Sequence, residues 1–144
     1  MIKALYTAQV QVTGGRADGR GRTSDGMLDV ALRMPKEMGG DGDGVNPEQL
    51  FAVGYAACFA TVVELLAQRE KINAGTPVID ADVALIPKGD GTFKLGATLD
   101  VTLAGIDDRQ QAADLVRAAH RVCPYSNATR GNIDVVFVVN GAEL

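Results

Sequence analysis

The chain has 144 residues, of which 47% are hydrophobic and 22% charged, so it is expected to fold, and neither disorder nor a fibrous repeat is expected. Its length favours one compact domain, which we predict to span residues 1–144. Lys and Arg total 14 against 18 Asp and Glu, a formal net charge of −4, which argues against a nucleic-acid partner.

The first part of the chain is predicted to form two strands and a glycine-rich loop. Apolar and polar residues alternate over residues 6–12, which predicts a half-buried strand that ends at Gly14. Residues 16–26 carry several glycines and arginines and are interpreted as a connection or a mobile hairpin. The alternation returns over residues 28–34 and predicts a second strand. Residues 39–44 are a predicted loop.

A long helix is predicted from Pro47 to about residue 71. Asn46 suits the N-cap, Pro47 suits the first helical position, and Gln49 can complete a capping box. Residues 50–63 contain no charged residue and are apolar on nearly every face, so we expect this helix to be buried in the centre of the protein or of an oligomer. The uncharged run is shorter than the roughly 20 apolar residues that cross a bilayer, so no membrane span is expected.

The remainder is predicted to contain a hairpin, a second helix and a last strand. Residues 79–85 and 93–103 alternate between apolar and other residues and are joined by a Lys-Gly-Asp-Gly turn, which predicts the hairpin. Asp107 is predicted to cap a helix that ends before Pro124. Residues 133–139 are almost continuously apolar, which predicts a strand covered on both faces. This order of elements predicts an α+β fold with largely antiparallel sheets.

The two cysteines, Cys58 and Cys123, are the residues whose role composition leaves open. Two cysteines and one histidine are too few for a closed Cys/His zinc site, so no metal is expected. No secretory signal is visible at the N-terminus, so we expect a cytoplasmic location, where a permanent disulfide is unusual. Two thiols in that setting are catalytic, redox-sensing, metal-binding or simply buried, and composition alone slightly favours inert core residues.

Chemistry at either thiol requires activation. The two cysteines are 65 residues apart, so they form no CxxC pair and can meet only through the fold. Burial among apolar residues raises the pKa of a cysteine and leaves Cys58 inert unless a cation stabilises its thiolate. His120, three residues before Cys123, is one candidate. Arg16 is a better one, because a guanidinium stays charged and can hold a thiolate and a carboxylate together.

A carboxylate at the start of the long helix is a further candidate site residue. Glu48 lies at the positive end of that helix, where a negative charge is stabilised in any case. It is ten residues from Cys58, which corresponds to a rise of about 15 Å along one straight helix. Two arrangements remain open. In the first, two copies of the helix cross about a two-fold axis near Val53, which brings Glu48 of one chain towards Cys58 of the other. In the second, the helix is broken or kinked near Gly54, which brings the two residues together within one chain.

Two blocks of sequence resemble the signature of a known family. They are residues 46–59, NPEQLFAVGYAACF, and residues 122–135, VCPYSNATRGNIDV. The segments YTA at residues 6–8 and TGGR at residues 13–16 match as well, so the similarity covers essentially the whole chain. On these motifs the chain is identified as a member of the OsmC/Ohr family and resembles its organic hydroperoxide resistance proteins.

The resemblance implies an OsmC-like α+β fold with antiparallel sheets, a long buried central helix and an intertwined homodimer that has two sites at the subunit interface. By motif, Cys58 corresponds to the peroxidatic cysteine and Cys123 to the resolving cysteine. Arg16 corresponds to the arginine that stabilises the thiolate, and Glu48 to the carboxylate that orients this arginine. The pattern gives His120 no catalytic role.

The implied activity is that of a thiol peroxidase that defends against oxidative stress. Cys58 attacks an alkyl or fatty-acyl hydroperoxide, which releases an alcohol and leaves a sulfenic acid that condenses with Cys123. The characteristic reductant in this family is a lipoyl group carried on a protein, so we expect an external dithiol and no bound cofactor. Phe51, Tyr55 and Phe59 are the predicted substrate-binding residues. Two rival interpretations are an OsmC-type enzyme with a broader peroxide preference and a non-catalytic module that binds apolar ligands.

Overall fold

The computed structural model describes all 144 residues and divides into two compact units, Met1–Leu50 and Phe51–Leu144. The first unit holds a small sheet and the start of the long helix. The second unit holds the rest of that helix, a larger sheet and two further helices. That residues 1–144 form one domain stays a prediction.

The sheet of the first unit has three antiparallel strands, which are β1 (Val10–Thr13), β2 (Asp18–Thr23) and β3 (Asp29–Arg33), in that spatial order. The strand predicted over residues 28–34 is confirmed as β3. The strand predicted over residues 6–12 is too long at its start, because β1 begins only at Val10. Of the preceding residues, Gln9 accepts one backbone hydrogen bond from Ser24, and Tyr6 is 80% exposed.

β2 lies where the sequence predicted a connection or a mobile hairpin, and that prediction is wrong. Its glycines and charged side chains have low intrinsic preference for strands. The strand forms because it is central: Arg20 pairs with Thr13 of β1 on one side and with Ala31 of β3 on the other. Gly19 is needed there, because a Cβ atom at this position would collide with the carbonyl oxygen of Gly15.

The long helix, α1 (Pro47–Arg69), begins at the predicted residue. The capping box is confirmed in both directions. The backbone N–H of Gln49 donates to Oδ1 of Asn46 at 2.9 Å, and the backbone N–H of Asn46 donates to Oε1 of Gln49 at 3.0 Å. The helix is continuous over 23 residues, including Gly54, so a break at that glycine is excluded.

α1 buries only one face in the single chain. Its buried residues are Tyr55, Phe59, Val62, Val63 and Ala67. Val53, on another face, is 69% exposed, so much of the apolar surface that the sequence predicted to be covered has no cover within one chain. By length and composition α1 could also cross a membrane, although core helices of water-soluble proteins meet the same criterion.

The second unit has a four-stranded sheet made of β4 (Val78–Pro87), β5 (Phe93–Thr102), β6 (Val135–Val139) and β7 (Ala142–Glu143), in that order. The predicted hairpin is confirmed, with Pro87 opposite Phe93 in the last antiparallel pair. β5 and β6 are parallel, and the other pairs are antiparallel. β6 is not covered on both faces in the single chain, because Val136 is 38% exposed.

Two helices follow the hairpin. α2 (Arg109–Val122) ends before Pro124 as predicted, but its cap is Asp108 and not Asp107, since the Asp108 carboxylate accepts from two backbone N–H groups of the first turn. α3 (Pro124–Thr129) was not predicted. Proline stops the preceding helix, and it also suits the first position of a new one. The core of the unit is formed by β5, β6, α1 and α2, so the predicted α+β fold is confirmed.

Candidate active site

Arg16 and Glu48 form a two-pronged ion pair in the first unit. Nη1 of Arg16 donates to Oε2 of Glu48 at 2.9 Å, and Nη2 donates to Oε1 at 2.8 Å. The side chains are 31% and 14% exposed, respectively. The hydrogen bonds raise the pKa of Arg16 and hold the pKa of Glu48 below its ordinary value, so both groups are charged at neutral pH. The pair leaves other N–H groups of the guanidinium free to bind a further anion.

The other arginines of this segment have a different partner. Arg20 donates from Nε and Nη2 to the Asp29 carboxylate at 2.7 and 2.6 Å. Arg22 also faces Asp29, at 4.0 Å. Because neighbouring strands β2 and β3 present these side chains to each other, Arg20 and Arg22 are engaged within the sheet, and Glu48 binds Arg16.

Cys58 and Cys123 face each other in the second unit. Cys58 lies on α1, and Cys123 lies at the junction where α2 ends and α3 begins. Cys123 has an extended backbone, as expected for a residue before Pro124. The two Sγ atoms are 3.9 Å apart, and both thiols are free. Cys123 is fully buried and Cys58 is partly exposed.

The surroundings of Cys58 within this unit do not ionise it. Burial raises the pKa of the Cys58 thiol first, and the neighbouring Cys123 raises it further. One group acts in the opposite direction, because the backbone N–H of Tyr125 donates to the sulfur and lowers its pKa. Pro124 has no N–H, so Tyr125 supplies the first free N–H of α3. A thiolate at Cys58 therefore needs a cation in addition to this hydrogen bond.

Tyr125 is a functional candidate that the sequence analysis missed. Its ring packs on α1 at Gly54, where a Cβ atom would lie 2.7 Å from the Tyr125 hydroxyl oxygen. Gly54 and Cys58 are four residues apart and share one face of the helix. The absence of a side chain at Gly54 thus lets the Tyr125 ring pack closely against the face of α1 that carries Cys58. The signal in the sequence was proline directly after Cys123, which was interpreted as ending the helix and setting the backbone of Cys123, and not as beginning a new helix that carries Tyr125.

The three predicted substrate-binding residues lie in different surroundings. Tyr55 and Phe59 are fully buried, and the hydroxyl of Tyr55 forms a 2.8 Å hydrogen bond with Ser126. Neither has surface in the structure with which to touch a ligand. Phe51 is partly buried against the core, with its ring centroid 6.1 Å from that of Tyr125. Direct contact between Tyr55 or Phe59 and a substrate stays a prediction.

Phe51 and Tyr125 line an open groove of about 710 Å³ on the second unit. Its other walls come from the β4–β5 hairpin, from α3 and from the loop that leads to β6. The lining residues are Phe51, Leu85, Lys88, Phe93, Lys94, Leu95, Pro124, Tyr125, Ala128, Thr129, Asn132 and Ile133. This volume lies in the range of small-molecule sites, so the groove can hold an apolar ligand next to the residues that follow Cys123.

His120 is not engaged with the thiols. Its ring packs against Phe137 with centroids 4.8 Å apart, and Nδ1 has no hydrogen-bond partner. Burial, with a smaller contribution from Arg130, lowers the pKa of His120. The structure therefore does not support the Cys/His pair that the sequence left open. No group of three or more His, Cys, Asp or Glu side chains is arranged to hold a metal ion.

Comparison with known proteins gives matches along nearly the whole chain. The family model described as OsmC-like protein matches residues 40–137. The organic hydroperoxide resistance protein of Xanthomonas axonopodis pv. citri is 48% identical over 141 residues, which cover 95% of this chain and 96% of that protein.

Solved structures give the same result. The organic hydroperoxide resistance protein OhrB of Bacillus subtilis superposes with a TM-score of 0.85 at 46% identity, over 94% of this chain and 99% of that chain. A candidate organic hydroperoxide resistance protein from Vibrio cholerae, crystallised with captopril in one of its active sites, superposes with a TM-score of 0.93 at 45% identity, over 99% and 97% of the two chains.

Proposed function

The chain belongs to the OsmC/Ohr family, and on that premise we propose that it is a cysteine-based peroxidase that reduces organic hydroperoxides to alcohols. The observation that carries the proposal is the 3.9 Å separation of the Cys58 and Cys123 sulfurs. Inert core cysteines have no reason to face each other across two helices, whereas a nucleophile and a resolving thiol must do so. Relatives named organic hydroperoxide resistance proteins support organic hydroperoxides as the substrate class.

The reaction has two oxidative steps. The Cys58 thiolate attacks the distal oxygen of the hydroperoxide, the O–O bond breaks, and the leaving alkoxide takes a proton to become the alcohol. Cys58 is then a sulfenic acid. The Cys123 thiol attacks that sulfur, the S–O bond breaks, and one water leaves as the disulfide forms. An S–S bond is about 2.05 Å long, so the two sulfurs must approach by roughly 2 Å from their present separation.

Arg16 is the cation that we assign to the activation of Cys58. Because burial raises the pKa of this thiol, an opposite charge nearby is needed to keep a useful thiolate fraction at neutral pH. Glu48 fixes the guanidinium with two parallel hydrogen bonds and leaves its remaining N–H groups for the thiolate. Glu48 acts as a positioning residue, since its carboxylate has no part in the transfer of oxygen.

The continuous helix favours a site shared between two chains. Glu48 and Cys58 are ten residues apart on unbroken α1, which corresponds to a rise of about 15 Å. In an intertwined homodimer the Arg16–Glu48 pair of one chain serves Cys58 of the other. The exposed apolar surface of α1 around Val53 supports this arrangement, because a second copy would cover it.

Mixed dimers test the shared site. Glu48→Ala and Cys58→Ser chains are each expected to be impaired as pure homodimers. In a mixed dimer with shared sites, one of the two sites keeps both residues, so activity returns to about half of the wild-type value. Sites built within single chains would give no such recovery, and that result would rule out the shared arrangement.

The cycle is closed by an external dithiol. Exchange of the Cys58–Cys123 disulfide with a dithiol restores both protein thiols and oxidises the reductant to its own disulfide. We propose a lipoyl group carried on a protein as this reductant, with no cofactor bound to the chain itself. Replacing dihydrolipoamide with glutathione at equal thiol concentration is expected to lower the turnover rate, and equal rates would contradict the assignment.

Turnover of cumene hydroperoxide with a dithiol reductant tests the proposed function. Wild-type protein is expected to turn over, Cys58→Ser is expected to be inactive, and Cys123→Ser is expected to stall after one oxidation. Full activity of Cys58→Ser would overturn the mechanism. Equal efficiencies with cumene hydroperoxide and hydrogen peroxide would favour the broader OsmC-type enzyme instead of an enzyme specific for organic hydroperoxides.

A further inference from the structure

Three buried hydroxyl groups join the helix that carries Cys58 to the helix that follows Cys123. The hydroxyl oxygen of Tyr55, on α1, lies 2.8 Å from that of Ser126 and 3.4 Å from that of Thr129, both on α3. Tyr55 and Ser126 are fully buried, and Thr129 is 4% exposed. These three side chains form a hydroxyl cluster. Buried hydroxyl groups cost stability unless they are hydrogen-bonded, so their pairing helps to fix how α1 and α3 meet.

The contacts of the hydroxyl cluster allow one assignment of its protons. Each hydroxyl has a single proton to donate. Thr129 donates its proton to the backbone carbonyl oxygen of Ser126 at 3.2 Å. The contact between Thr129 and Tyr55 therefore requires the Tyr55 proton, and the contact between Tyr55 and Ser126 requires the Ser126 proton. Tyr55 thus accepts from one hydroxyl of α3 and donates to the other.

Cys123 is tied directly to the helix that Tyr55 holds. The carbonyl oxygen of Cys123 accepts from the backbone N–H of Asn127, in α3, at 2.9 Å. The backbone N–H of Cys123 donates to the carbonyl oxygen of Ala119, in the last turn of α2, at 2.8 Å. Both backbone groups of Cys123 are engaged in this way, so a shift of α3 against α1 displaces Cys123 as well.

On α1 the same tyrosine is close in sequence to the other thiol. Tyr55 and Cys58 are three residues apart, a spacing that makes two side chains neighbours on a helix. A path of contacts therefore runs from α1 through the hydroxyls of Tyr55 and Ser126 to α3 and Cys123. The whole path lies in the second unit, and the sulfurs of the two cysteines at its ends are 3.9 Å apart.

We propose that the hydroxyl cluster positions Cys123 against Cys58, with Tyr55 and Ser126 as positioning residues for disulfide formation. This inference rests on the proposed peroxidase function and concerns its second oxidative step. The cluster keeps the Cys123 thiol at a high effective concentration beside the Cys58 sulfenic acid. A sulfenic acid that is not captured in time takes an oxygen atom from a second hydroperoxide, which leaves as the alcohol, and becomes a sulfinic acid.

Competition between these two fates of the sulfenic acid tests the cluster. Prereduced protein is treated with increasing concentrations of cumene hydroperoxide, and intact mass gives the ratio of disulfide to sulfinic acid. In Tyr55→Phe and in Ser126→Ala, the concentration that gives equal amounts of the two products is expected to fall about fivefold, as loss of one hydrogen bond would give. The rate of the first oxidation of Cys58 should stay within about twofold of wild type, because neither hydroxyl takes part in that step.

Two further variants separate positioning from a general loss of stability. Ile106 is buried and precedes α2, at the opposite end of that helix from Cys123. Ile106→Ala is therefore expected to lower the free energy of unfolding at least as much as Tyr55→Phe does, with an unchanged product ratio. The double variant Tyr55→Phe/Ser126→Ala removes both partners of one hydrogen bond. Its effect on the ratio should be close to that of either single variant, which is the coupling expected for residues in contact.

A wild-type product ratio in both single variants, or an equal change in Ile106→Ala, would overturn the positioning role. Absence of any reaction between wild-type protein and hydroperoxide would instead overturn the peroxidase function. The cluster is also tested without peroxide, by equilibrating the protein with reduced and oxidised dithiothreitol. The equilibrium constant for the Cys58–Cys123 disulfide is expected to fall about fivefold in each single variant, and constants equal to that of wild type would contradict the proposal.

Discussion

The sulfur atoms of Cys58 and Cys123 lie 3.9 Å apart although 65 residues separate them along the chain. One thiol is on a long helix, and the other is at the junction of two helices. The ring of Tyr125, two residues after Cys123, packs on α1 at Gly54, about one helical turn before Cys58. The geometry of the thiol pair therefore depends on how α3 packs against α1, which can be tested by substitution.

Replacement of Arg16 is expected to slow oxidation of Cys58. Loss of a neighbouring cation typically raises a thiol pKa by one unit or more, so Arg16→Ala should lower the rate at neutral pH by about 10-fold or more. The rise of the rate with pH should also move to higher pH. The matched control is Arg20→Ala, which removes an arginine paired with Asp29 and should leave the rate within about twofold. Equal losses in both variants would show that Arg16 has no special role.

Glu48 is expected to contribute stability that depends on pH. Its pKa is lower in the folded chain than its ordinary value of 4.5, because Arg16 stabilises the carboxylate. A group with a depressed pKa stabilises the fold above its unfolded pKa, and this stabilisation is lost as pH falls through the folded pKa. Glu48→Gln should therefore be less stable than wild type at pH 7, by about 1 kcal/mol or less, and equally stable well below pH 4.

Denaturant unfolding at pH 7 and at low pH measures this difference in the free energy of unfolding. A constant difference between wild type and Glu48→Gln at both pH values would contradict the linkage. The same variant should oxidise Cys58 more slowly at neutral pH, because an amide holds the guanidinium less firmly than a carboxylate does.

Gly54→Ala is expected to disturb the thiol pair more than the fold. The new Cβ would lie 2.7 Å from the hydroxyl oxygen of Tyr125, so this partly exposed ring must shift. Movement of Tyr125 is expected to displace Cys123, which lies two residues earlier in the chain, from Cys58. Formation of the disulfide should slow, and more Cys58 should be overoxidised to sulfinic acid, as measured by intact mass after a small excess of hydroperoxide.

A double substitution checks the cause of this effect. Tyr125→Phe removes the hydroxyl that is nearest to the added methyl group. In the Gly54→Ala background it should restore part of the disulfide yield, which is a coupling that independent sites do not show. Additive effects of the two substitutions would contradict a direct clash between these residues.

Tyr55→Phe distinguishes a structural role from substrate contact. The Tyr55 hydroxyl is buried and bonded to Ser126, whose side chain is also fully buried. Removal of the hydroxyl leaves Ser126 without its closest partner and should cost about 1–3 kcal/mol of unfolding free energy. The KM for organic hydroperoxides should hardly change. A raised KM with unchanged stability would instead support direct contact with the substrate.

The sequence predicted those elements whose local signals agree with the fold. The Asn46–Gln49 capping box and the β4–β5 hairpin are examples, because the residues that define them are neighbours in the chain. β2 was missed because its pairing with strands on both sides outweighs the low strand preference of its glycines. α3 was missed because Pro124 ends one helix and begins the next.

Less of the candidate site than of the fold could be predicted from local patterns in the sequence. Arg16 and Glu48 are 32 residues apart, and no spacing rule joins them, so their pairing came from the resemblance to a family. The contacts of Tyr125 depend on packing between α1 and α3, which has no periodic signal. The uncovered face of α1 was predictable from its apolar composition, since a helix that is apolar on every face needs more cover than a small chain provides.

The mass of the protein after one equivalent of organic hydroperoxide is the most direct test of the central claim. Prereduced wild-type protein is expected to lose two hydrogens, and peptide mapping under non-reducing conditions should join the Cys58 and Cys123 peptides. Cys123→Ser should instead gain oxygen at Cys58. Wild-type protein that keeps two free thiols under these conditions would contradict a self-resolving peroxidase and would leave the thiols as core residues.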